Sequence, residues 1–136
     1  GLLVFGTLHT NNARKTVDRI IDAFPSDQQE QIRTMLANSL RAVCAQLLLK
    51  RSDGGGRLAV NEILISNNAV SAIIREGATM KLNDVLKTGK AEGMQLMDDA
   101  IAGHLQAGRI SPMEAYMKAI DKLRFQESLP KDSGIG

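Results

Sequence analysis

The chain has 136 residues, 43% of them hydrophobic and 24% charged, with a formal net charge of +2 and one cysteine, Cys44. That length suits one compact domain or one and a half small ones, and a single thiol excludes both an internal disulfide framework and a four-cysteine zinc site. The basic pairs Arg14-Lys15 and Lys50-Arg51 lack interleaved aromatics and make a poor nucleic-acid surface, and no apolar run approaches the roughly 20 residues that cross a bilayer.

Aromatic residues are confined to Phe5, Phe24, Tyr116 and Phe125, so the core must be aliphatic, a composition that favours packed helices. No initiator methionine opens the chain. Gly1 leads directly into an apolar run, as expected of a fragment. Residues 2–8 read as a buried strand ending at Gly6-Thr7-Leu8-His9-Thr10. Asn11 or Asn12 can cap a helix with apolar positions Val17, Ile20, Ile21 and Phe24, stopped by Pro25. Ser26-Asp27-Gln28-Gln29 resembles a capping box, and Ile32, Leu36, Leu40, Val43 and Leu47 continue at helical spacing, with Cys44 as a small buried hydrophobe.

Ser52-Asp53-Gly54-Gly55-Gly56 then predicts a turn between residues 47–51 and a β-like run over 57–65. The glycines lack the Gly-Lys-Ser/Thr that a phosphate loop requires. From Ser66 onward the pattern is helical. Asn67 or Asn68 caps a helix ending at Gly77; Leu82, Val85 and Leu86 mark a second. Met94, Met97, Ile101 and Leu105 mark a third, closed by Gly108, and Ser111-Pro112-Met113-Glu114 starts a fourth. The expected organisation is an α/β unit over 1–65, a small all-α subdomain over 66–125 and a flexible tail over 126–136.

Few residues offer chemistry. His9, at the carboxyl end of the expected strand with Thr7 and Thr10 beside it, can present an imidazole donor and two hydroxyls to a phosphate. A histidine after a strand also serves as ordinary hydrogen-bonded structure. Arg19 suits phosphate geometry, or pairs on the surface with Asp18 or Asp22. His104 falls near a helix C-terminus, where the dipole favours a cation. His9 and His104 lack metal-ligand spacing, and the adjacent Asp98 and Asp99 do not form a facing acid/base pair.

The order of segments adds a resemblance. Leu3-Val4-Phe5-Gly6-Thr7-Leu8-His9-Thr10-Asn11 resembles the histidine box of type IV pilus retraction motors of the PilT type, in the secretion ATPase superfamily. Lys15-Thr16-Val17-Asp18-Arg19-Ile20-Ile21-Asp22-Ala23-Phe24-Pro25 is similar to the helix that follows that box. Ala69-Val70-Ser71-Ala72-Ile73-Ile74-Arg75-Glu76 looks like the family's A-I-R-N-L-I-R-E retraction element, and Gly93-Met94-Gln95 and Ile110-Ser111-Pro112 match its terminal helices.

The resemblance implies a partial RecA-like P-loop ATPase domain, a strand-helix-helix-hairpin portion, followed by a helical subdomain. It implies a cytoplasmic homohexameric motor at the inner face of the inner membrane, which uses ATP and Mg2+ in the parent protein to retract the pilus against an inner-membrane platform protein. His9 would sense the γ-phosphate, with Thr7, Thr10 and Arg19 in the nucleotide site; Ala69, Ile74, Arg75 and Glu76 would serve the retraction element. Leu2 stands where the box usually has a second histidine.

Two other readings remain. A type II secretion or pilus assembly ATPase would usually carry a four-cysteine insertion, which Cys44 alone cannot supply. A non-catalytic helical interaction module would bind no nucleotide. Neither a G-x-x-x-x-G-K-[ST] loop nor an acidic Walker B strand end occurs in the 136 residues. The chain by itself is therefore expected to bind no cofactor and to hydrolyse no ATP; magnesium-dependent phosphate release by the purified chain would overturn this.

Overall fold

The computed structural model describes residues 1–132 and 134, and these residues form seven α-helices around a two-stranded antiparallel sheet. Asn12, extended at φ −153 and ψ 163, accepts the Lys15 N–H on Oδ1 at 2.8 Å and starts α1 (Ala13–Asp22). Its Ala13, Thr16, Val17 and Ile21 face inward, and the helix stops before Pro25. The next helix, α2 (Gln29–Ser39), starts later and ends earlier than its spacing predicts. Ser26 caps nothing: residues 25–28 form a turn in which the Gln28 N–H donates to the Pro25 carbonyl.

Beyond Leu40 the chain becomes β1 (Ala42–Lys50), which corrects the helical reading of Val43 and Leu47. A spacing of four is shared by a helix face and a strand face, so that pair did not discriminate. Strand alternation puts Val43, Ala45 and Leu49 inside. It also turns Cys44 outward, so the expected burial of this thiol is corrected too. Its partner β2 (Arg57–Ile65) pairs from Ala42 opposite Ile65 to Lys50 opposite Arg57.

Gly54 at φ 72 and Gly56 at φ 98 make the turn that residues bearing a Cβ resist. The Asp53 carboxylate receives the Arg51 guanidinium at 2.7 and 3.1 Å and the Gly55 N–H at 2.8 Å. The Arg51 hydrogen bonds, with help from the Gly55 amide, pull its pKa down to about 2.

Residues 2–8 do not form the expected buried strand. Leu2 is 94% and Phe5 90% exposed. A strand needs a ladder partner, and residues 2–8 pair with neither strand of the sheet. The outer edge of β2 is taken by Gln95, which exchanges backbone hydrogen bonds with Ile63 at 2.9 and 3.0 Å. The free edge of β1 faces residues 4–8 across a cavity of about 390 Å³.

The helices after β2 follow their punctuation. Asn67 caps α3 (Asn68–Glu76) by accepting the Val70 N–H at 2.9 Å, and Gly77 at φ 74 ends it. A 3₁₀ turn over Thr79–Lys81 leads to α4 (Leu82–Thr88). The third expected helix starts at Met97 rather than Met94, as α5 (Met97–Gln106), because Gly93 at φ 92 turns the chain first. Ser111 caps α6 (Pro112–Lys118), and α7 (Leu123–Gln126) follows. The Glu114 carboxylate does not return to Ser111; it accepts the backbone N–H of Lys50 at 2.9 Å. Of the tail expected over 126–136, residues 133, 135 and 136 lie outside the described residues.

One face of the hairpin carries two apolar clusters, one at each end. Val43 and Leu64 pack with Val17, Ile21, Val70, Ile74 and Leu86. Leu49 and Val60 pack with Met97, Ile101, Ile110 and Phe125. Both clusters draw on residues from each side of Ile65, so the expected boundary at 65 is crossed by both. Between them, opposite the small Ala45, lies Glu62, only 1% exposed. Its Oε1 accepts the Ala13 N–H at 2.8 Å and its Oε2 the Met97 N–H at 3.0 Å.

Two outcomes are expected. Ile101, fully buried in the second cluster, should cost about 2–5 kcal/mol on replacement by Ala; the denaturant midpoint would fall accordingly, whereas Leu48→Ala at a half-exposed position should shift it little. The folded pKa of Asp53 lies below its ordinary 3.8, so its support of the turn is present above that value and is lost as pH falls through about 2. The Gly55 amide resonance should titrate with that low midpoint, and should no longer do so in Asp53→Asn.

Candidate functional site

A cleft of about 910 Å³ opens between the segment preceding α1, the exposed side of α1 and the middle of β1. His9, Thr10 and Asn11 line one wall; Lys15, Asp18, Arg19 and Asp22 line another. Helical geometry accounts for the second wall, since Lys15 and Arg19 are one turn apart, as are Asp18 and Asp22. Lys15 was not singled out from the sequence; its spacing of four from Arg19 was the available signal.

Three hydrogen bonds fix the first wall. Arg19 Nη1 donates to the His9 carbonyl at 3.3 Å. Asn12 caps α1, and the hydroxyls of Thr10 and Thr16 are 2.6 Å apart. Because Thr16 Oγ1 donates to the Asn12 carbonyl at 2.8 Å, Thr10 is the donor of that pair. Its proton is thus committed inward, and towards the cleft it can only accept. Thr7 does not line this cleft; it borders the smaller cavity beside β1. The site therefore joins His9, Thr10 and Arg19 and leaves Thr7 apart.

Arg19 pairs with neither aspartate of its helix. Asp18 accepts the Thr79 hydroxyl at 2.7 Å and lies 3.8 Å from Arg14 Nε. His9 is exposed on the cleft rim, where its imidazole can act as a hydrogen-bond donor to an incoming anion. Lys15 and Arg19 add two cations nearby.

The second set of candidate residues lies on α3, whose Val70 and Ile74 belong to the first cluster. Ala69, Arg75 and Glu76 are exposed, and Arg75 donates to the Asn38 side chain at 3.2 Å. Ile74 is fully buried in the core, which removes it from any surface that a partner could touch. His104 lies near the C-terminus of α5, 3.3 Å from an Arg109 nitrogen. Among the described residues, no group of three or more His, Cys, Asp or Glu is placed to hold a metal ion.

The polar residue that sequence reasoning missed is Glu62. Its signal was present: along Leu58, Val60, Glu62 and Leu64, one parity of the strand is apolar except for a carboxylate.

No family model matches the chain. Over 119 residues, 88% of its length, it is 52% identical to a twitching motility protein of Neisseria gonorrhoeae, of which it covers 32%. Over 119 residues it is 43% identical to the type IV pilus retraction ATPase PilT of Pseudomonas aeruginosa, covering 88% of this chain and 34% of that protein. The type IV pilus ATPase PilU of the same organism is 36% identical over 135 residues, which is 98% of this chain and 35% of PilU. The chain thus spans about a third of the length of the curated relatives it matches.

Among solved structures, the pilus retraction motor PilT with bound ADP matches with a TM-score of 0.79 and 36% identity, over 90% of this chain and 34% of that one. The ATPase DotB of Legionella pneumophila matches with a TM-score of 0.64 at 21% identity, over 80% of this chain and 29% of that one, a likeness of fold alone. The resemblance to retraction ATPases therefore holds over most of the chain, and its mixed α/β architecture is that of the matching part of PilT.

Proposed function

We infer that this chain is part of a motor ATPase that powers type IV pilus retraction, and that the cleft beside α1 faces the nucleotide in the parent protein. The observation that carries this reading is the identity of 52% and 43%, across 88% of the chain, to proteins named for twitching motility and pilus retraction. Relatives named as type IV pilus ATPases in one organism, PilT at 43% over 119 residues and PilU at 36% over 135, support the same class.

The cleft residues fit a phosphate. His9 supplies a neutral-pH hydrogen-bond donor at the rim, and Lys15 and Arg19 offset anionic charge without covalent chemistry. Arg19 has a second task, since its bond to the His9 carbonyl fixes the main chain that carries the imidazole. Phosphoryl transfer rests on positioning and electrostatics, so such a donor counts most when its backbone is held. ATP and Mg2+ belong to the parent protein in this reading.

Assembly as a homohexamer with the nucleotide between subunits belongs to the same proposal. So does docking on an inner-membrane platform protein through exposed Ala69, Arg75 and Glu76, at the inner face of the membrane. Among the described residues, no helix is long and apolar enough to cross a bilayer.

The test is the full-length parent carrying His9→Ala. ATP binding should persist while kcat falls about 100-fold, the scale of losing one donor to a developing anion, and twitching should stop. Unchanged turnover would remove His9 from the reaction.

A further inference from the structure

The buried carboxylate between the two apolar clusters has a place in the fold that its chemistry does not require. Carboxylates are rarely buried without a cation, yet among the described residues Glu62 is held by two backbone partners, the N–H groups of Ala13 and Met97. Each is the first residue of a helix. These are positions where unsatisfied amides and the positive end of the helix dipole favour a carboxylate. Helix α1 has its own cap, since Asn12 takes the Lys15 N–H, but Asn12 leaves the Ala13 N–H unsatisfied. Helix α5 receives no cap from its own N-cap residue, because Leu96 occupies that position.

The two helices lead to different places. Ala13 follows directly on the His9–Asn12 wall of the cleft. Met97 begins the helix whose first turn holds the C-terminal elements: Asp98 accepts the Ile120 and Asp121 N–H groups at 2.9 and 2.8 Å, and Asp99 receives Arg124 at 2.7 Å. A continuous set of short hydrogen bonds therefore runs from the α6–α7 link through α5, across one carboxylate, to the start of α1.

We propose that Glu62 is a positioning residue: by holding the first N–H of α1 and of α5 on its two oxygens, it fixes the His9 wall of the cleft relative to the C-terminal helices. A displacement of α5 is then transmitted to His9. This rests on the cleft being the nucleotide site. The carboxylate is suited to the task because both its oxygens accept, whereas an amide of the same size must turn a donor toward one of the two N–H groups.

The experiment uses the full-length ATPase with Glu62→Gln, His9→Ala and the double variant. Glu62→Gln should lower kcat about tenfold or more while KM for ATP changes less than about twofold, as expected for misplacement of a reacting group. In the His9→Ala background the same substitution should change kcat less than about twofold. An effect of equal size in both backgrounds overturns the proposal, because a general loss of fold would act without His9.

Hydrogen exchange on the same proteins provides a second readout that does not need activity. In Glu62→Gln, protection should fall together at residues 10–15 and 97–100 and persist around Ile74. Loss confined to one of the two segments, or spread over the whole chain, overturns the link. If His9→Ala alone hydrolyses ATP at the parental rate, the nucleotide reading of the cleft fails, and the exchange result alone decides whether Glu62 joins the two helices.

Discussion

The architecture depends on one buried carboxylate. Glu62 lies where the hairpin's two clusters meet, and it satisfies a helix N-terminus from each. Replacing either amide partner by apolar surface would leave a carboxylate oxygen without a hydrogen bond, which costs more than the bond itself contributes. Ala45 opposite leaves room for the side chain, and no buried side-chain polar atom among the described residues lacks a partner. Glu114 repeats the device at the hairpin's far end, where its carboxylate leaves its own helix to hold the Lys50 N–H.

Much of the fold was legible because its helices are punctuated locally. Asn12, Asn67 and Ser111 cap as their chemistry predicts, and Gly77 and Gly108 turn the chain at positive φ. What failed were readings that needed a partner remote in sequence. Val43 and Leu47 fit helix and strand equally, and only pairing with residues 57–65 decides between them. The apolar run over 2–8 has strand composition, but composition supplies no neighbour. Cys44 followed from the same error, since its burial depended on the period assumed.

The site was legible in part for a related reason. His9, Thr10 and Arg19 share a short stretch of chain, so local geometry brings them together; the Arg19 bond to the His9 carbonyl spans only ten residues. Glu62 joins the same region from 49 residues away, a separation that no motif captures. Ile74 shows the reverse limit: a residue matching a functional motif by type can owe its identity to the core.

The position of Glu62 also has a consequence for the order in which the chain folds. The hairpin closes over a short glycine-rich turn, a local event on the microsecond scale. The carboxylate on β2, however, takes partners 49 residues before it and 35 residues after it. Until both helices arrive, that oxygen pair must stay in water, and desolvating it with one partner alone is unfavourable. Because Glu62 takes one partner from each cluster, consolidation of the two clusters is coupled through that carboxylate.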